Sequence, residues 1–135
     1  MELTAKVGGP LVGVRILDCD HREMFEAITD LKARVQADED PRRTSSLLRR
    51  LARFTQSHFS LEDGMMAATK FPGATPHRLH HQNLMRQIRE LVSRSRRGEL
   101  GLNGQSLSML EALHVDHVEE DDVSYGHWLN GEGRN

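Results

Sequence analysis

The amino-acid sequence predicts an all-α protein, an up-down-up-down four-helix bundle with a dinuclear metal site in its core. Three observations predict it: four segments whose apolar residues recur at helical spacing, connections of roughly four to ten residues between them, and imidazoles on the apolar stripe of each segment. A chain of 135 residues has single-domain length, and one domain over residues 1–135 is expected.

The helices are expected at about residues 18–37, 44–70, 75–96 and 105–129. The first carries Met24, Phe25, Ile28, Leu31 and Val35 on one stripe and stops at Asp38-Glu39-Asp40-Pro41. The second starts near Thr44 as N-cap and carries Leu47, Leu48, Leu51, Phe54, Leu61 and Met65 up to the turn Phe71-Pro72-Gly73. The third opens with Thr75 as N-cap and Pro76 at the first helical position, then shows Leu84, Ile88, Leu91 and Val92 until Arg96-Arg97-Gly98. The fourth follows Gly101-Leu102-Asn103-Gly104, holds Leu107, Leu110, Leu113, Val118 and Tyr125, and ends near Trp128 before Gly131 and Gly133. Short loops make sequential helices antiparallel neighbours.

Eighteen basic against twenty acidic residues leave a formal charge of -2, which argues against a nucleic-acid binder working by broad phosphate neutralisation. The arginines of helices two and three read as solvated faces. The uncharged run from Val7 to Val14 contains Gly8, Gly9, Pro10 and Gly13 and is too short and broken for a signal or a membrane span, so a cytoplasmic protein with no membrane partner is expected. The lone Cys19 excludes a thiolate metal centre and is expected to be a buried or half-buried thiol. With only six aromatic residues, the interior is filled mainly by Leu, Ile, Val and Met. Met65, Met66 and Met85 accordingly read as core filling.

Eight histidines are the anomaly. His21 precedes Met24, Phe25 and Ile28 by three, four and seven residues and so shares their helix face. His58 lies between Phe54 and Leu61, with Glu62 four residues on. His77 and His81 are four apart and continue into Leu84 and Ile88, and His117 follows Leu110 and Leu113. Five inward imidazoles and a carboxylate, each costing about 1–3 kcal/mol if buried unsatisfied, call for compensation. A metal supplies it, and imidazole with carboxylate suits iron, zinc, copper or manganese. The i, i+4 pairs His58/Glu62 and His77/His81 place side chains about 5–6 Å apart, close enough to share one ion or serve two neighbours. Five imidazoles exceed what one ion with an open position takes.

The ordered pattern of His21, His58-x3-Glu62, His77-x3-His81 and His117-x4-Asp122, with Phe71-Pro72-Gly73 and Tyr125, resembles the hemerythrins and bacterial hemerythrin-like proteins. The match spans about residues 11–129 and fills all seven ligand positions. The resemblance implies a non-haem di-iron centre, two iron ions with an oxo or hydroxo bridge. It implies His77, His81 and His117 on one ion, His21 and His58 on the other, and Glu62 and Asp122 bridging. It also implies a position open to dioxygen or a similar small diatomic or peroxide ligand. Asp122 rests on the resemblance alone: five residues beyond His117 it is rotated about 140° on an ideal helix, where Asp121 or Glu120 is better placed.

Two departures bear on function. The family usually has a Trp four residues before the last ligand His and an apolar residue three before it, where this sequence has Leu113 and His114. His114 is a pocket candidate that could donate a hydrogen bond or a proton to a bound ligand, or itself ligate iron; the alternative is an edge residue bonded to a carboxylate. His80 is expected at the surface or behind the ligands, and His127 as a helix-end cation. The leading functional expectation is a small protein that binds, stores or delivers dioxygen. The alternative is a di-iron oxidoreductase acting on peroxide, dioxygen or nitric oxide, and a weaker third is a zinc-type storage or sensing bundle. The oligomeric state stays open.

Overall fold

A computed structural model describes residues 12–97 and 102–132. The expectations that rest on Val7 to Leu11, Gly98, Gly101 and Gly133 lie outside them. Four long helices form the bundle: α1 (Arg15–Gln36), α2 (Pro41–Ala68), α3 (Ala74–Arg97) and α4 (Gly104–His117). The last continues through a π-helical turn (Val118–Asp122), a short α5 (Val123–His127) and a second π-helical turn (Trp128–Glu132). Helix α2 packs against α1 and α3, and α1 packs against α4. No strand occurs among the described residues, and no helix among them is long and apolar enough to cross a membrane.

The helix starts differ from the expected ones for local chemical reasons. Helix α2 begins three residues before Thr44, because Asp40 accepts the Arg42 N–H at 2.9 Å and Pro41 occupies the first turn, where its missing N–H costs nothing. Thr44 instead turns its hydroxyl onto the Pro41 carbonyl. Helix α3 starts at Ala74, so Thr75 lies inside it and is not its cap. Helix α1 reaches back to Arg15, where Asp18 accepts the Val12 and Gly13 N–H groups at 2.7 and 3.2 Å. Asn103 and Ser106 cap α4 reciprocally, each side chain bonding the other's backbone. Both α1 and α2 stop in paired backbone bonds that wrap the last turn, with Asp38 and Lys70 in the left-handed conformation.

One stripe of each helix is buried. Leu17, Phe25, Ile28 and Leu31 of α1 form one core with Leu48, Leu51 and Met66 of α2, Leu84, Met85 and Ile88 of α3, and Leu107 and Leu110 of α4. Full burial of each such side chain contributes about 1.5–3 kcal/mol. Cys19 is exposed, against the expectation of a buried thiol, because two residues before His21 it points about 200° away from the buried stripe. Tyr125 is fully buried, packs on Phe71 at 5.0 Å and shares a hydrogen bond with the Thr69 hydroxyl at 3.0 Å.

Val12 and Gly13 are fixed against α5 and the turn that follows it. Asn130 donates to the Gly13 carbonyl at 2.8 Å, and the Gly126 backbone passes so close to the Val12 carbonyl that a Cβ on Gly126 would overlap it. Gly126→Ala is therefore expected to destabilise the protein by about 1–3 kcal/mol through overpacking, read as a lower urea midpoint. An unchanged midpoint would show that Val12 is not held there.

Candidate metal centre

All seven expected site residues converge, and all are buried: His21, His58, Glu62, His77, His81, His117 and Asp122. They form two overlapping groups that share the carboxylates, Glu62/His77/His81/His117/Asp122 and His21/His58/Glu62/Asp122, with ligand atoms within 4.8 Å of one another in each. The carboxylates divide their oxygens between the groups. Glu62 Oε2 lies 2.8 Å from His58 Nε2 and 3.2 Å from His21 Nε2, while Glu62 Oε1 lies 3.0 Å from His81 Nε2. Asp122 Oδ2 lies 3.0 Å from His21 Nε2, and Asp122 Oδ1 lies 2.8 and 3.1 Å from the Nε2 atoms of His77 and His117.

Asp122 reaches the interior because the helix changes pitch. Over Val118–Asp122 the backbone takes the wider π turn, which accommodates one residue more per turn than the α-helix and brings the fifth residue after His117 back over it. Asp121, which an ideal wheel favours, lies outside and half-buried, with its carboxylate 3.1 Å from His117 Nδ1. Consecutive aspartates thus address both nitrogens of one imidazole, Asp122 from within and Asp121 from without.

Two more outer carboxylates do the same work; sequence reasoning missed both, and considered Asp121 only for the inward position. Asp20 lies 3.0 Å from His58 Nδ1 and Asp63 lies 2.8 Å from His81 Nδ1. An ionised carboxylate can only accept, so each Nδ1 carries a proton and each Nε2 is the nitrogen turned inward, available to an ion once its own proton is gone. The signal was present as an acid directly beside a ligand residue (Asp20-His21, Glu62-Asp63) or one turn from it (His117, Asp121). His80 is exposed, stacks on the His117 ring at 5.1 Å and lies 3.5 Å from Asp121. Phe59 stacks on His81 at 3.9 Å and fixes its plane.

The donor set fits metal ions. Two ligands about 2.1 Å from one ion and at right angles sit about 3 Å apart, which is the spacing of the inward atoms here. His81 Nε2 and His117 Nε2 face each other at 2.9 Å. Glu62 Oε1, His77 Nε2 and both Asp122 oxygens are buried and make no aligned hydrogen bond despite their close neighbours. Atoms crowded together yet not aimed at one another are placed for a common third partner.

Charge in the metal-free site is compensated by protons. Burial alone lowers the pKa of His21 and His77, but the Asp122 and Glu62 carboxylates outweigh it and raise both to about 9. His117 is raised as well by Asp121, Asp122 and Glu62 against the same burial. Burial pushes Glu62 and Asp122 up, and the facing imidazoles hold both well below the usual carboxylate range.

His114 is buried, one turn before His117, and its Nδ1–H donates to the Leu110 carbonyl at 2.9 Å. It stands neither at the bundle edge nor against a carboxylate. With Nδ1 protonated, its buried Nε2 is a bare acceptor with no partner, and burial lowers its pKa to about 4. It belongs to neither ligand group.

A family model described as the hemerythrin HHE cation binding domain matches residues 12–128. A myohemerythrin of Sipunculus nudus is 28% identical over 111 residues, 82% of this chain and 81% of that protein. A bacteriohemerythrin of Stenotrophomonas maltophilia (strain R551-3) is 23% identical over 114 residues, 84% of this chain and 73% of that protein. One of Pseudomonas aeruginosa (strain LESB58) is 24% identical over 113 residues, covering 84% and 72%. No solved structure matches the chain.

The raised imidazoles set a pH signature. The stability they give the chelated protein is complete below the ordinary value of 6.5 and lost as pH rises through about 9, while the depressed carboxylates lose theirs only as pH falls into the acid range. The midpoint of thermal unfolding of chelated protein is therefore expected to fall between about pH 6.5 and 9, and metal to abolish the fall by replacing the protons. Equal profiles with and without metal would contradict this charge balance.

Proposed function

The chain belongs to the hemerythrin family, and from that premise we propose that it is a non-haem di-iron protein that binds dioxygen reversibly, as a carrier, store or local buffer in the cytoplasm. The family's cofactor is a pair of iron ions, and the buried histidine and carboxylate cluster is suited to a metal site. We assign His77, His81 and His117 to one ion, His21 and His58 to the other, and Glu62 and Asp122 to both. The observation that carries this assignment is the division of each carboxylate, one oxygen toward each histidine set.

When bound, the iron pair supplies the electrons on which reversible dioxygen binding draws. The rest falls to the chain's own residues. Asp20, Asp63 and Asp121 keep three imidazoles in one tautomer and one orientation, so that the ligand atoms are in place before a metal arrives. The smaller histidine set, His21 and His58, would give its ion fewer protein ligands than His77, His81 and His117 would give theirs. Phe25, which meets His114 edge-on at 6.4 Å, and the fully buried Phe59 keep this layer dry. Exclusion of water and protons favours release of dioxygen over its loss as a reduced species.

The oxidoreductase alternative drew on His114 as a proton donor. Its proton is committed to the Leu110 carbonyl, and a second is disfavoured by burial, so His114 offers a ligand an acceptor and no proton. This favours the carrier reading over an enzyme that releases peroxide.

Anaerobic reduction of iron-loaded protein, followed by oxygen, is expected to give a visible band that vanishes under vacuum and returns. Its decay in His114→Leu is expected to stay within about twofold of wild type, since no proton donor is removed. A band that never reverses, or that lives tenfold or more longer in the variant, would favour the enzyme. His58→Ala and Glu62→Ala are each expected to lower iron below two per chain by elemental analysis; full retention in both would overturn the ligand assignment.

A further inference from the structure

Charge on this molecule is segregated far more than its net value suggests. Residues 41–97 contain twelve Lys and Arg against three Asp and Glu, a formal +9, while the remaining residues carry six against seventeen, -11. The three acids leave little free negative charge on the α2–α3 face. Glu62 is buried in the metal centre, Asp63 is engaged by His81, and Glu90 lies 3.7 Å from Arg94. Eleven of the twelve basic residues are arginine, the side chain whose planar fork binds phosphate bidentately and stacks on flat rings.

Four of these arginines line one groove between α2 and α3, with a volume of about 730 Å³, within the range of small-molecule sites. Arg49 and Arg53 stand one turn apart on α2, and Arg89 and Arg96 two turns apart on α3. No acidic side chain lines the groove, and among the described residues none of the four guanidinium groups pairs with a carboxylate. Ala52, Met85 and Val92 give it an apolar floor. Arg89 donates to Gln56 across the groove at 2.6 Å, so one guanidinium is already oriented by the opposite helix. By helical rise the arginines extend about 6 Å along α2 and 10 Å along α3.

Four unneutralised cations over that length repel one another, and a ligand that concentrates three or four negative charges in the same length relieves the repulsion. Carboxylates on a protein surface are more widely spread. An apolar floor between the cations has no use for an inorganic ion, whereas its chemistry suits the flat ring of a nucleobase. We propose that the α2–α3 groove is a binding site for a phosphate-rich organic anion, by charge and size a nucleoside polyphosphate. The site is separate from the metal centre and does not depend on the dioxygen reading.

Calorimetric titration of the full chain with inorganic triphosphate and with ATP tests it. Both are expected to bind with affinity that falls as salt rises, ATP more tightly because of its base. Arg53→Gln/Arg89→Gln is expected to weaken both about tenfold or more. Arg42→Gln/Arg43→Gln, which removes equal charge at the start of α2 outside the groove, is expected to leave them within about twofold. Circular dichroism would confirm equal helicity in all three proteins. No binding at about 1 mM of either anion, equal loss in the two variants, or tighter binding of poly-glutamate than of triphosphate would each overturn the proposal.

Discussion

Glu62 and Asp122 lie without exposure at the centre of the bundle, and a carboxylate moved there unaccompanied would cost several kcal/mol. Five imidazoles surround them. The two acids and five bases are each tolerable only in the presence of the other, with protons or metal ions completing the balance. The rest of the structure can be read as the means of keeping these seven side chains at one height: four helices long enough to bring ligands to a common layer, and close-packed Leu, Ile and Met on either side.

The layer is oriented from outside. Asp20, Asp63 and Asp121 sit on the solvent side of three imidazoles and settle which nitrogen faces inward. The aromatic contacts add a second restraint, with Phe59 flat against His81 and His80 flat against His117. Because these partners come from α1, α2, α3 and the π turn, a ligand can move only if a neighbouring helix moves too. That preorganisation lowers the reorganisation needed when an ion binds.

The helices and the histidine layer were legible in the sequence because apolar spacing and imidazole spacing follow the same 3.6-residue period. What the period could not give was the place where it breaks. Asp122 is out of phase on an α-helical wheel, and only the widened turn at Val118–Asp122 puts it in the layer. The start of α2 was misplaced because Asp40-Pro41 reads equally as the stop of one helix and the cap of the next. Cys19 and His114 show the limit of residue type as a guide. A thiol preferring burial was placed outside by its phase, and an imidazole read as a donor became an acceptor through a bond to its own helix backbone. Asp20 and Asp63 were overlooked because half-buried acids beside the histidines read as ordinary surface charge, and Asp121 was weighed only for the inward place that Asp122 takes.

Glu62 and Asp122 are shared by both groups of histidines, and the proposed assignment of each to two ions follows from that sharing. A crystal structure of the iron-loaded protein, with anomalous scattering recorded at the iron edge, tests it directly. Two iron peaks are expected, one beside His77, His81 and His117 and one beside His21 and His58, with Glu62 and Asp122 each contacting both. A single peak, or two peaks that share neither carboxylate, would contradict it.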